Sequence, residues 1–313
     1  MPVHDRITSA DIIEFNNSEK VFGIFNEVSK HVPEMTLISA SPCKKTSYKT
    51  LIKTGLPEVG FRESNKGIKQ SSPTVVARDV ELKFLDASWS LDQKVAKECE
   101  WGERVAMTLS AESAMEAALQ KIAQQTWYGT QADAKGFTGL ATLLPYKNSP
   151  MVVDAGGNTA NAASSIFAIR TELQGVQYAW GQDGHFDTGP IGEAEQWDDE
   201  FKKFWAYVQK VQAYVGLQVP STQVIGRICN ITDSKPVSEG MIAKLLMQFP
   251  VGREPNLIFM TRRTLEQIRS QRTATTTTGK EVPYPDQIFG IPIHTTDALR
   301  DNEAILPNAP AGG

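Results

Sequence analysis

LSAESAMEAALQKIAQQTWYGTQADAKGFTGLATLL, running from Leu109 to Leu144, is the stretch around which the rest of this chain is organised. Its first half carries Met115, Leu119, Ile122 and Ala123 at three- and four-residue spacing, which places them on one face of a helix. Ala, Glu, Gln and Lys, all good helix formers, occupy the other faces. Ser110 is positioned as an N-cap, with Glu112 near the positive end of the helix dipole. Gly129, following Tyr128, can take the left-handed conformation that stops a helix. Extended back through Val105, the helix has roughly 20 residues and spans about 30 Å, the dimensions of a strut. Beyond a polar loop lies Gly136-Phe137-Thr138-Gly139-Leu140, an aromatic held between glycines and read as a buried plug at a tight turn.

At 313 residues the chain can bury a sizeable core, and its 41% hydrophobic and 22% charged content is that of a folded globular protein. No apolar run approaches the ~18 residues of a membrane span, and the first residues, MPVHDRITSADIIEF, contain no signal-peptide core. Cys43, Cys99 and Cys229 are isolated, without a CxxC pair, which argues against a disulfide framework or a zinc site. A net charge of −4 argues against tight sequence-independent nucleic-acid binding. That total hides a segregation. Lys44 to Arg78 holds eight basic residues (Lys44, Lys45, Lys49, Lys53, Arg62, Lys66, Lys69, Arg78) against Glu58 and Glu63. Asp183 to Glu200 holds seven acids and no Lys or Arg, while Glu98, Glu100, Glu103, Glu112 and Glu116 face only Arg104 within their span. Such groups either pair, within a subunit or between copies, or form solvated faces.

Taken in order, Ile12, Phe15, Val21, Phe22 and Phe25 predict a short amphipathic helix, and residues 31–50 an extended arm. Residues 51–91 read as a long hairpin. Thr74–Leu85 alternates Val76, Arg78, Val80, Leu82 and Phe84 with Ala77, Asp79, Glu81 and Lys83, and Thr50–Phe61 forms the opposing limb across a polar connection from Arg62 to Ser72. A two-stranded ribbon of this length is marginal in water and needs a surface to lie on, and another subunit can supply one. Further strands are expected at Ser165–Arg170, Val176–Trp180, Phe204–Val219, Gln223–Ile231, Asn256–Met260 and Gln287–His294, the third on alternation and β-branched content. Loops are expected at 158–164, 181–192 and 274–281. A helix capped by Asp233 or Ser234 and opened by Pro236 should end at Phe249-Pro250, and another should begin at Thr261 with Leu265 and Ile268 inward.

No constellation for catalysis stands out. His4, His31, His185 and His294 are scattered; Asp183, His185 and Asp187 could form a weak metal site but read better as a polar turn. Asp154-Ala155-Gly156-Gly157-Asn158 lacks the spacing and Lys-Ser/Thr of a phosphate loop. Cys99, between two glutamates, is a poor nucleophile. The six tryptophans are too dispersed for a base-stacking platform and are assigned to interior or interface packing. Catalytic, cofactor and metal residues are therefore expected to be absent.

The order of these features resembles the major capsid proteins of tailed bacteriophages. Three passages carry the likeness: Thr126-Trp127-Tyr128-Gly129 with Phe137-Thr138-Gly139-Leu140; Ser164-Ser165-Ile166-Phe167 to Trp180-Gly181; and Asn256 to Leu265 with Phe289-Gly290-Ile291-Pro292-Ile293 and Asp297-Ala298-Leu299. Together they span roughly residues 100–300. The resemblance implies an α+β phage-capsid-type fold. Its parts would be an N-terminal arm (1–45), an extended β-hairpin loop (46–91), a peripheral domain with the spine helix (92–150, rejoined by 200–220 and 282–308) and an axial domain (151–199 and 221–281). It implies hexamers and pentamers closing an icosahedral shell around phage double-stranded DNA, in the virion and assembled in the host bacterial cytoplasm, with no membrane. Scaffolding, portal and decoration proteins are the partners it suggests. The arm and hairpin fill the chain ahead of the strut, so no large cleaved scaffolding segment is expected. The charge segregation adds an inter-subunit contact between Lys53, Arg62, Lys66, Lys69 and Arg78 and a neighbour's Glu98, Glu100, Glu103, Glu112 and Glu116. An encapsulin shell shares the implied fold. A soluble α/β enzyme is the contrasting reading, and it requires a pocket of convergent polar groups.

Overall fold

The computed structural model describes residues 30–44, 46–69, 71–172, 174–181, 186–275 and 282–310. The amphipathic pattern at Ile12–Phe25, His4, Lys45, Asp183, His185 and most of the 274–281 loop lie outside the described residues. In chain order the elements are α1 (Glu34–Leu37), β1 (Ala40–Pro42), β2 (Ser47–Gly55), β3 (Thr74–Glu81), β4 (Lys83–Asp86), β5 (Trp89–Asp92), α2 (Gln93–Glu98), α3 (Glu103–Tyr128), α4 (Leu140–Leu143), β6 (Val152–Asp154), β7 (Ser164–Ile169) and β8 (Gln177–Trp180). They continue with β9 (Asp187–Thr188), β10 (Gly192–Trp197), β11 (Lys203–Gln209), β12 (Val211–Gln218), β13 (Ile225–Ile231), α5 (Glu239–Leu246), β14 (Leu257–Met260), α6 (Arg262–Thr275), β15 (Gln287–Ile288) and β16 (Ile291–Thr295). The mixture is the α+β architecture expected.

The strut is longer than its sequence pattern indicates. At 26 residues α3 spans about 39 Å. Ser110 is not its N-cap: the helix starts after Gly102, whose φ is 91°, and the Ser110 hydroxyl donates to the Ala106 carbonyl at 3.1 Å. Thr108 bonds Arg104 O in the same way at 2.9 Å. Both hydroxyls are absorbed by the helix's own backbone rather than capping it. The extra turns form because Ala106 is buried against Trp89, Leu91, Val95, Ala96 and Val211, a tertiary contact that local spacing does not reveal. At its other end α3 enters the main core, where Trp127 stacks at 5.0 Å from Phe167 and 5.2 Å from Phe259. An aromatic of this kind buries on the order of 150–250 Å², worth ~4–6 kcal/mol at about 25 cal/mol per Å². The helix thus bridges two apolar clusters.

Gly129 ends α3 at φ 55° and ψ −128°, a positive-φ conformation but not the left-handed helical one expected, and it lies against Gly139 so closely that a Cβ on it would come within 2.1 Å of Gly139 N. This crossing holds Phe137 buried, with Gln125 Nε2 donating to its carbonyl at 2.6 Å.

Among the described residues the strands form four sheets. A six-stranded sheet has the order β15-β16-β14-β7-β13-β6, and a second has β1-β8-β12-β4 with β9 also on β12. A three-stranded sheet runs β10-β11-β5, and β2 pairs only with β3. Strands β7 and β8 form as expected, but in different sheets. The run at 204–219 is strand, divided into β11 and β12 where the Ser88 hydroxyl accepts a bond from Val211 N at 3.2 Å. The last run is likewise two strands. Phe289 and Gly290, at φ 52° and 79°, turn the chain between β15 and β16, as a two-residue hairpin loop requires. The cap of α5 is Ser238, whose hydroxyl accepts from Met241 N, not Asp233 or Ser234; the Thr232–Lys235 segment closes a turn of its own.

Candidate functional site

Nine residues of β2 and eight of β3 form the ribbon, paired from Ser47↔Glu81 out to Gly55↔Thr74. Its base is fastened. Tyr48 and Thr50 donate to Gln218 Oε1 at 2.6 and 3.3 Å, and Arg78 Nη1 donates to Val219 O at 3.1 Å. Val80 and Leu82 are buried there. Beyond the base, among the described residues, nothing covers Leu51, Val75 and Val76, which are exposed, as are Leu56, Val59 and Phe61 in the 56–73 connection. Alternation predicts the strand pair; that its outer part has no cover among the described residues is what the structure adds.

Of the basic residues singled out from sequence, Lys53 lies exposed on β2 and Arg78 on β3, while Arg62, Lys66 and Lys69 lie on the exposed connection. Lys66 pairs with Glu63, and Arg62 Nη1 donates to Lys66 O at 3.3 Å, so these ties stay within the connection. The acids fall elsewhere. Glu98 and Glu100 are exposed at the junction of α2 and α3, and Glu112 is exposed on α3. Glu103 bonds the Tyr207 hydroxyl, which with burial pushes that phenol up to about 12, and Glu116 accepts from Gln120 at 3.3 Å. The helix start packs beside Val211, whereas the ribbon is fastened at Gln218 and Val219. The two charge groups therefore sit at opposite ends of β12.

Inside the subunit a polar clasp ties the end of the spine helix to the last segment of the chain. Arg227 Nη2 pairs with Glu303 Oε2 at 2.9 Å, both side chains being at most 6% exposed. Glu303 also accepts from the Tyr128 hydroxyl at 2.6 Å and the Ser165 hydroxyl at 2.5 Å, and Tyr128 accepts from Arg300 N at 2.7 Å. Burial and the adjacent Glu303 carboxylate drive the Tyr128 phenol far above its usual range. A second tie holds the segment before β1: buried Glu34 accepts from Trp127 Nε1 at 2.7 Å and from the Thr296 hydroxyl. Desolvation raises the Glu34 carboxyl, outweighing these bonds. Neither clasp carries a sequence signature, since its bonded partners lie 62 to 262 positions apart.

A cleft of about 430 Å³ borders the first clasp, but Tyr128, Arg227 and Glu303 in its wall are bonded to one another. Burial pushes the Cys229 thiol up to about 12, away from reactivity. Among the described residues no group of three or more His, Cys, Asp and Glu is placed to hold a metal ion, and no helix is long and apolar enough to cross a membrane.

What the arrangement offers is surface: a projecting ribbon on one side and an acidic helix start on the other, joined by a braced core. The family model described as major capsid protein GP7 matches residues 16–307. The chain belongs to this family. This major capsid protein is accordingly a structural component of the virion shell that assembles with copies of itself. Among solved structures it is similar to that of bacteriophage Epsilon15, with a TM-score of 0.70 and 18% identity over 99% of this chain and 100% of that one. It also matches the capsid of Myoviridae phage XM1, at TM-score 0.50 and 10% identity over 69% of this chain and 98% of that one. These likenesses establish the phage capsid fold. The SrpI encapsulin of Synechococcus elongatus aligns at TM-score 0.45 and 8% identity, over 74% of this chain and 97% of that one. No curated protein sequence matches.

Proposed function

We propose that this capsid protein forms hexamers and pentamers that close an icosahedral shell around packaged double-stranded DNA, assembling in the host bacterial cytoplasm. The observation that carries this reading is the ribbon, a two-stranded element whose outer part is left uncovered by the described residues and which gains stability when laid on a neighbour. In the proposed division, 1–45 is the arm and 46–91 the extended loop. Residues 92–150, 200–220 and 282–308 form the peripheral domain, and 151–199 with 221–281 the axial domain. Lys53, Arg62, Lys66, Lys69 and Arg78 of one copy would face Glu98, Glu100, Glu103, Glu112 and Glu116 of the next. The position of the two groups at opposite ends of β12 supports a contact between copies over one within a copy. Each such pair is weak and screened by salt, yet repetition over a closed shell adds many of them. A net charge of −4 suits a container that does not grip its DNA. Scaffolding, portal and decoration proteins are the further partners in this scheme. Replacing Lys66 and Lys69 by Glu tests the contact: assembly should fail while the subunit melts as before, and shells of normal yield would refute it.

A further inference from the structure

Helix α1 has four residues, too few to persist by itself, so residues 30–37 stay on the subunit through tertiary contacts. Those contacts are few. Val32, Met35 and Leu37 pack against the main core but are only partly buried. His31 N donates to Asp297 Oδ2 at 2.8 Å, and Asp297 N donates to His31 O at 3.0 Å. The remaining tie is Glu34, which is wholly buried and whose Oε1 accepts from Trp127 Nε1 and from the Thr296 hydroxyl. From Ile38 onward the anchorage is independent of that acid. Ile38 is itself buried, Ser39 N donates to Thr171 Oγ1 at 2.8 Å, Tyr178 N donates to Ser39 O at 2.8 Å, and β1 pairs with β8 from Ala40↔Tyr178 to Pro42↔Trp180.

The second carboxyl oxygen of Glu34 is buried without a hydrogen-bond partner among the described residues. The elements packed around it bring little positive charge. Helix α3 presents Trp127 and Thr126, and β8 presents Tyr178, whose buried phenol stays protonated and meets the Thr126 hydroxyl at 2.8 Å. On β16, burial and the nearby His31 favour the neutral form of His294, and Asp297 beyond it is another acid. His31, on the segment itself, attracts the carboxylate less than the Thr296 and Trp127 bonds do. None of these neighbours is a buried cation. An unbonded neutral oxygen costs less in such a place than an unbonded charge, so the closed segment holds Glu34 protonated. Opening returns the carboxyl to water and to its ordinary 4.5. The closed form thus keeps a proton that the open form releases, and above that pH each unit favours opening by up to about tenfold.

We propose that Glu34 is a pH-operated latch: its neutral carboxyl keeps residues 30–37 on the core, and loss of the proton lets them lift away about Ile38 while β1 and the rest of the subunit stay folded. The point at which the chain leaves the core then moves from Lys30 to Ile38. A short segment with few buried contacts opens at a far lower free energy than the central strands, which makes the release local.

The test is hydrogen exchange of the full-length, unassembled protein, read as protection relative to an unstructured chain and followed from about pH 5 to about pH 9. The reporting amides are Thr36, Leu37 and Ile38, which donate to Pro33 O, Pro33 O and Glu34 O. In the wild type their protection should fall by up to about tenfold per pH unit and be lost while β7 and β13, fully buried strands, remain protected. Glu34→Gln should hold the protection of these amides nearly level. A level wild-type profile, a Glu34→Gln profile that falls as the wild type does, or one common protection for residues 31–38 and the two strands overturns the latch. If Glu34→Gln does not fold, the wild-type titration decides by itself: loss confined to 31–38 supports the latch, and a level profile or a common loss refutes it.

Discussion

Glu303→Ala is the perturbation whose cost follows most directly from the geometry. Arg227 is 4% exposed and spends its donors on the Ser165 hydroxyl at 3.1 and 3.0 Å, Leu144 O at 3.2 Å and Glu303 at 2.9 Å. Removing the carboxylate strands a buried guanidinium with only neutral acceptors, and also frees the Tyr128 hydroxyl and loosens the 297–306 segment. Breaking one partner of a buried pair costs roughly 3–5 kcal/mol. At roughly 2–4 °C per kcal/mol for chains of this order of size, the melting temperature of the unassembled subunit should fall by about 6–20 °C. Arg227→Met in the same chain removes the stranded charge, so the double variant should melt above Glu303→Ala alone. Urea and thermal melts of the three proteins, followed by tryptophan fluorescence, measure this. A shift below ~2 °C for Glu303→Ala, or a double variant no better than the single, would show that the clasp does not brace the subunit.

Glu34→Gln gives a pH signature. Burial raises the Glu34 carboxyl in the folded state above its ordinary 4.5, so above that pH the folded state binds more protons than the unfolded one and wild-type stability falls as pH rises. Gln keeps an acceptor for Trp127 and Thr296 without the charge, so its melting temperature relative to wild type should climb as the pH is raised above 4.5; a constant difference counts against the assignment. Gly139→Ala drives a Cβ to 2.2 Å from Gly129 N, and the loss of soluble subunit should reflect a cost of about 3 kcal/mol or more; a normal melt would mean that the crossing can relax. For Lys66→Glu with Lys69→Glu, light scattering should report lost assembly at low ionic strength with unchanged far-UV circular dichroism. Because the pairs are exposed, wild-type assembly should itself slow as salt shortens the Debye length from about 10 Å at 0.1 M to about 3 Å at 1 M.

Local periodicity carried much of this architecture and long-range contacts carried the rest. Met115, Leu119 and Ile122 betray the strut because a 3.6-residue period needs only a few turns to register, but its first turns depend on Ala106 meeting Trp89 and Val95. The ribbon was legible from strict alternation at Thr74–Leu85. That β7 and β8 belong to different sheets was not, because Thr171 is clamped by Asn256, a residue 85 positions away. The Phe289-Gly290 turn was hidden inside an apolar run because the φ > 0 of a phenylalanine has no compositional mark. At the surface, charge segregation located the basic connection and the acidic helix start. Trp197 and Trp205 were passed over as dispersed tryptophans, although Glu193, Glu195 and Trp197 alternate with Ala194 and Gln196 on the way to an Asp-Asp-Glu turn, a hairpin pattern in itself.

The central claim, that this subunit builds a shell with copies of itself, is tested most directly by expressing the protein alone and examining it by negative-stain electron microscopy alongside a sizing column. Closed particles, tubes or isolated hexamers and pentamers are the predicted result. A monodisperse small oligomer that stays so after a candidate scaffolding protein is added would contradict it.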